Sequence, residues 1–507
     1  MDADVLAEDR PNNLTVALAE GEAVGFAWLD LSTGEGGTCM ASLDGCGAAL
    51  ARIAPSEILV ARWPETSDAL AVAVRGSGVP FSTLDRPELA SGEAEQVLAR
   101  AYGQEQREAM RSFSPPELGA LAALLDYTLA VVGRLPEALP LPRGAPIGDR
   151  MEIDGPTLRG LEVLASASGR KGCLLSVMDR TVTAPGARLL VRQLCAPLTS
   201  PETIRWRLAM VRVLVAQPQV RADCREAMSG MPDMLRACGR LSLGKGGPRD
   251  LAAVRDGLDQ AAAAAKRLTA LPDPPPGLVT ASRELATASD GTCGNLAQAL
   301  RRALVLVPPL SAKEPGFIAD GYAKRLDAAR AEIARAKAAI NELQARYVEE
   351  TGVKTLRIRT NSVVGHHVEV PAASAKALGP DFTLRQGLAS ATRFTTAELD
   401  RLAAALEAAA GQASAAEQFV FGKLRSAVLT SREALARISH AAAALDLVRP
   451  GARRQPRGTG RSRSWPTTRA WPSRAVATPW RRRCWKRRGA ASSPTIAGWA
   501  RRSGCGC

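Results

Sequence analysis

Four groups of residues in this 507-residue chain have types and spacings that could do chemistry. Gly239-Arg-Leu-Ser-Leu-Gly244-Lys245-Gly246 comes close to a phosphate-binding loop, G-x4-G-K-[S/T]. Such a loop needs a hydroxyl after the lysine to hold Mg²⁺, and a strand before it. Gly246 follows the lysine here, and the preceding residues have a helical pattern, so a helix-to-helix turn is expected. Asp30 closes a strand-like run and could be a metal ligand of a nuclease of the ribonuclease H type. That chemistry needs several carboxylates converging on the metals. Asp44 and Glu57 are near only in sequence, so Asp30 reads as a strand-end turn residue. His366-His367 could bind a metal, but successive strand residues point to opposite faces and cannot easily chelate one ion. Arg357, Arg359, Arg385 and Arg393 could contact phosphates. A charge cluster is usually a solvated face, but these four lie on one small β-rich stretch.

The elements that must position these residues follow from periodicity. Residues 14–18 and 23–31 read as strands, closed by the turn signal Ser32-Thr33-Gly34; residues 44–53 read as a helix and 57–60 as a strand. Strands alternating with short helices predict a small α/β domain ending near residue 120. From about 117 to 315, Ala- and Leu-rich stretches broken by Pro and Gly predict an α-helical core. Residues 320–349 form the clearest helix. Leu326, Ile333, Ile340 and Tyr347 fall seven apart, with Ala329, Ala336 and Leu343 between them, a heptad seam. Alternation over residues 354–360 and 363–370 predicts two strands around an Asn361 turn. Thr395 and Glu398 read as a capping box opening a helix towards Leu447, with a break possible near Gly411. The fold class is therefore mainly α, with a small N-terminal α/β domain of ribonuclease H type and a β-rich tip inserted between two long helices.

Charge and composition sharpen the boundaries. The net charge is +15, but residues 449–507 hold 16 Lys/Arg and no Asp or Glu, leaving −1 for residues 1–448. The same 59 residues hold five of the eight Trp and show no periodicity, so no packed fold is expected there. The ten Cys are scattered without a C-x2-C pair, and only three His are present, which predicts no zinc site and free thiols in a reducing cytosol. No uncharged apolar run reaches the ~18–20 residues of a membrane span, and the acidic start is not a secretory signal. A cytoplasmic protein is expected.

The order of α/β module, helical core, long helix, β tip and return helix resembles the middle of the MutS family of DNA mismatch repair proteins. Asn12-Asn13-Leu14 and Gly25-Phe-Ala-Trp-Leu-Asp-Leu-Ser-Thr-Gly-Glu35 resemble its connector domain. Met151-Glu-Ile-Asp154, Thr157-Leu-Arg159, Met178-Asp179, Thr181, Thr183, Gly186-Ala-Arg-Leu-Leu190 and Pro248-Arg-Asp-Leu251 resemble its core. Asn361, Gly365 and Glu369-Val370 resemble the clamp pattern N-x-x-x-G-x-x-x-E-V. Arg385-Gln386, Leu388 and Arg393-Phe394 resemble R-Q-T-L-x-x-A-x-R-[FY], with Gly387 for Thr and Ala389 where many members have Lys. The similarity covers roughly residues 5–447.

The resemblance implies a connector-like domain over 1–120, helical core and outgoing lever over 121–345, clamp tip over 346–394, returning lever over 395–447 and a basic tail over 448–507. It implies weak, non-sequence-specific gripping of double-stranded DNA by Arg357, Arg359, Arg385, Gln386 and Arg393. It also implies repair partners at the connector. ATP and Mg belong to the intact family; this chain shows no Walker A loop, and no cofactor, ATPase activity or dimerisation region is expected in it, nor the family's mismatch-reading domain. With GC-rich codons and the frame slid by one base, residues 474–488 and 493–507 resemble segments the family carries upstream of its Walker A loop. A frameshift near codon 447 is therefore expected. Two other readings remain: a helical scaffold that never meets DNA, and a nuclease using Asp30.

Overall fold

The computed structural model describes residues 10–448, except 65–67, 85–88, 90, 145–149, 168 and 362. The expected frameshifted tail lies outside the described residues.

The N-terminal part is built on a six-stranded mixed sheet. Its strands are β1 (Asn13–Glu20), β2 (Ala23–Asp30), β3 (Gly36–Ser42), β4 (Pro55–Arg62), β5 (Phe81–Thr83) and β6 (Arg143–Gly144), in the order β5-β4-β1-β2-β3-β6. β1, β2 and β3 form an antiparallel meander, and β4 joins β1 in parallel. Strand alternation sends Leu14, Val16 and Leu18 to one face and Ala17 and Ala19 to the other, and both faces are covered. The first set meets helix Pro115–Val132 through Leu121, Leu124 and Leu125; the second meets helix Cys46–Ile53. Helix Pro115–Val132 is long and apolar enough to cross a membrane, yet it forms this core. The boundary read near residue 120 falls inside it. The strand β3 has no apolar alternation of its own (GGTCMAS) and forms because β2 offers it a pairing edge.

The core is one apolar cluster of helices, including Met234–Ser242, Pro248–Leu268, Gly291–Ala303 and Arg432–Leu447. From it the outgoing helix Lys324–Thr351 leaves, 28 residues or ~42 Å at 1.5 Å per residue. Its buried seam is Leu326, Ala329, Ala336, Ile340, Leu343 and Tyr347, with Ile333 half-buried. The returning helix Ala397–Thr430 packs along it.

Two local details differ from the sequence reading. The N-cap of the returning helix is Thr396, whose Oγ1 accepts from Leu399 N at 3.1 Å. Thr395 instead ends a strand and donates to Asp400 Oδ1, while Glu398 turns sideways to Arg346. The helix also runs through Gly411 without a break and stops at Ser431, whose hydroxyl donates to the Ala427 carbonyl. Two glycines in 34 residues, Gly411 and Gly422, do not interrupt a helix held by packing along its length.

Candidate nucleic-acid interface

Four strands make the tip: β7 (Arg357–Asn361), β8 (Gly365–Pro371), β9 (Thr383–Gly387) and β10 (Ala391–Thr395), in the order β7-β8-β10-β9 and antiparallel throughout. Asn361 forms the turn: its Oδ1 accepts from Val363 N at 3.0 Å and Val364 N at 2.7 Å. One face of the sheet is apolar. Val368, Val370 and Phe394 bury against Ile340, Leu343, Tyr347 and Leu399 of the two long helices. Polar bonds fix the seat: Tyr347 Oη meets Thr396 Oγ1 at 2.7 Å, and Ile358 N donates to Gln344 Oε1 at 2.8 Å.

The other face carries a polar row across all four strands. Arg357 pairs with Glu369, Glu369 with Arg393, and Arg393 with Gln386. Glu369 is its hub. Arg393 Nε donates to Glu369 Oε2 at 3.1 Å and Arg393 Nη1 to Gln386 Oε1 at 2.8 Å. Arg359 reaches Glu369 Oε1 at 3.5 Å, and His367 Nε2 lies 3.7 Å from its Oε2. The Arg393 hydrogen bond, helped by the charges of Arg359, Arg393 and His367, holds the Glu369 carboxyl below the usual range. Arg385 is tied to Asp400 at 3.2 Å. Arg357 donates only to the carbonyls of Lys354 and Leu356, and has no carboxylate partner among the described residues.

The five residues named from sequence therefore divide. Arg393 and Gln386 are half-buried and locked together; Arg357, Arg359 and Arg385 are exposed. Sequence reasoning missed Glu369 and Asp400 as partners. Residues 352–396 carry six Lys/Arg against Glu369 and Asp381, net +4. Lys354 and Lys376 add to the exposed cations.

The other candidates take structural roles. Gly239 lies inside helix Met234–Ser242, and a Cβ there would sit 2.0 Å from the Ser32 carbonyl, so it permits close packing on the connector. Lys245 N and Gly246 N both return to the Arg240 carbonyl, closing the helix end. Asp30 Oδ1 accepts from Ser32 N, Ser32 Oγ and Thr33 N, an Asx turn. Among the described residues no group of three His, Cys, Asp or Glu could hold a metal. His366 and His367 succeed each other along β8 opposite Thr360 and Arg359.

Comparison with known proteins decides what frame these pieces belong to. MutS domain II matches residues 7–131, and MutS domain III matches residues 156–449, more than half of the chain. The chain belongs to the MutS family. Relatives named DNA mismatch repair protein MutS share 38% identity over 453 residues in Cereibacter sphaeroides, 39% over 453 in Dinoroseobacter shibae and 36% over 457 in Rhodopseudomonas palustris. These alignments cover 88%, 87% and 88% of this chain, and 50% of each relative. The chain spans about half the length of the curated relatives it matches. MutS domain II covers β1 to β5 of the mixed sheet and nearly all of helix Pro115–Val132, with β6 beyond its end, and MutS domain III covers the helical core, the two long helices and the tip.

Proposed function

We propose that this MutS-family chain contributes the DNA-gripping part of mismatch repair. Its tip holds the phosphate backbone of duplex DNA without reading sequence, and the two long helices carry the tip's position to the core. One observation carries this: five exposed cations, Lys354, Arg357, Arg359, Lys376 and Arg385, are concentrated on the small sheet-bearing tip at the end of two long helices, on its strands and in the segments beside them. Phosphate contacts of this kind position a protein on DNA and make binding salt-dependent. Arg393 and Gln386 act as the frame that keeps the sheet face in order. The connector sheet is the surface for repair partners. No nucleotide hydrolysis is assigned to the described residues. A reducing cytoplasm suits the seven buried cysteines from Cys39 to Cys293, none of which is in a disulfide among the described residues.

The test neutralises Arg357, Arg359, Arg385 and Arg393 together and measures anisotropy of a labelled duplex at ~50 mM salt, where backbone contacts are strongest. Loss of at least tenfold in affinity, equal for matched and mismatched duplexes, is expected. Unchanged affinity would favour a helical scaffold that does not meet DNA.

A further inference from the structure

A cavity of about 620 Å³ lies between the connector sheet and the core helices Ala184–Cys195, Pro201–Ala216 and Arg432–Leu447. Six arginines line it: Arg52, Arg143, Arg150, Arg188, Arg192 and Arg207. Only two carboxylates line it with them, Asp30 and Glu35. Both are engaged. Asp30 is occupied by its own turn, and Glu35 is held by His440 at 2.8 Å and Arg143 at 3.2 Å. Arg188 is matched from outside the cavity lining by Asp233 at 2.7 Å, and Arg150 donates to the Ala196 carbonyl at 3.0 Å.

Two guanidinium groups are left over. Among the described residues, neither Arg192 nor Arg207 makes a side-chain hydrogen bond or ion pair, and the buried Nε of Arg52 has no hydrogen-bond partner. Arg192 lies one helical turn from Arg188 on helix Ala184–Cys195. Partial burial, and then the charge of Arg150, pull Arg207 below the usual arginine range, while Arg192 reaches the cavity from an exposed position. Trp28 and Trp206 complete the lining, each partly exposed. The volume falls within the range of small-molecule sites, roughly 300–1,000 Å³.

We propose that this connector–core cleft binds a small polyphosphate anion, its phosphoryl oxygens taken by the forked donors of Arg192 and Arg207. Guanidinium groups pair with phosphate through two parallel hydrogen bonds, which suits planar donors that lack protein partners. The shared ligand chemistry is the phosphate chain, free or carried on a nucleoside whose ring meets Trp28 or Trp206. This site is independent of the DNA-gripping tip. One competitor is internal: Pro11 lines the cavity, and residues 1–9 contain Asp2, Asp4, Glu8 and Asp9 with no Lys or Arg.

The test is calorimetric titration of the full chain with inorganic tripolyphosphate and, separately, with GTP. Saturable binding is expected, weakened at least tenfold in Arg192→Ala/Arg207→Ala. That variant should still fold cooperatively, because neither guanidinium makes a side-chain hydrogen bond or ion pair among the described residues; a small change in melting temperature would report only the Arg192 charge lost beside Glu35. Tighter binding of GTP than of tripolyphosphate supports the proposal with a nucleotide as the source; equal binding supports it with the bare phosphate chain. Absence of saturable binding, or equal binding by the double variant, overturns it. Binding seen only after removal of residues 1–9 also overturns it, by assigning the arginines to the chain's own acidic segment. Neutralising the tip arginines leaves this binding unchanged, so failure here and failure of the DNA reading are separable.

Discussion

Arg432 Nη2 donates to the Thr33 carbonyl at 2.5 Å, joining a connector turn to the last core helix across 399 positions of sequence. The same guanidinium donates to the carbonyls of Glu137 at 3.3 Å and Ala138 at 3.1 Å, and the residue is 4% exposed. Gly34 leaves room for it: a Cβ there would lie 2.1 Å from Arg432 Nη2. Arg432→Met removes the donors and leaves buried carbonyls without partners. A loss of about 2–4 kcal/mol is expected, since each buried unsatisfied polar group costs ~1–3 kcal/mol. Urea denaturation checks it: the midpoint should fall.

Glu35 makes the same junction sensitive to acid. Burial pushes its carboxyl up, but the His440 hydrogen bond and the charges of His440, Arg143 and Arg192 outweigh this and bring it to about 2, against an ordinary 4.5. The folded state thus favours the ionised form. Its stabilisation is fully present above pH 4.5 and is lost as pH falls from there towards 2. Melting temperatures followed from pH 6 to pH 2.5 should show this decline, and Glu35→Gln should flatten that component while lowering stability near neutrality.

Gly411 sits exposed in the interior of the returning helix, with nothing within 4 Å of an added Cβ. Gly411→Ala should raise stability by about 0.5–1 kcal/mol, by reducing the freedom of the unfolded chain and improving helix propensity. Thermal melting of the variant beside the parent is sufficient. A lower melting temperature would mean that the helix needs a hinge there.

The tip arginines should separate by partner. Arg357 has no carboxylate to leave, so Arg357→Ala should lower the slope of log affinity against log salt by about 1, the signature of one lost phosphate contact. Arg393 is tied to Glu369 and Gln386. Arg393→Ala should instead lower the tip's stability and disturb its hairpin amide signals in NMR, with a smaller change in salt slope. Equal slopes for the two variants would remove the distinction drawn between gripping and framing residues.

Local physics carried much of this fold into the sequence. Apolar runs between turn signals placed β1, β2 and β4, period-two alternation placed β7, the seven-residue seam placed the outgoing helix, and Asn361 marked the hairpin turn by its own side chain. Each of these is decided by neighbours a few residues apart, and each was legible. The ordered family motifs located the same connector, core and clamp. The strand β3 was not legible, because its pairing energy comes from its neighbours rather than from its own pattern. Nor was the cap at Thr396, where Tyr347 from the other long helix selects one of two adjacent threonines. The charge pattern named the tip arginines but could not tell which were free. That depended on Glu369 and Asp400, brought beside them by strand register and helix entry. The arginine-lined cleft was invisible for the same reason. Its cations come from residues 52 to 207, from the connector, the segment that follows it and two core helices, and only tertiary packing sets them around one cavity.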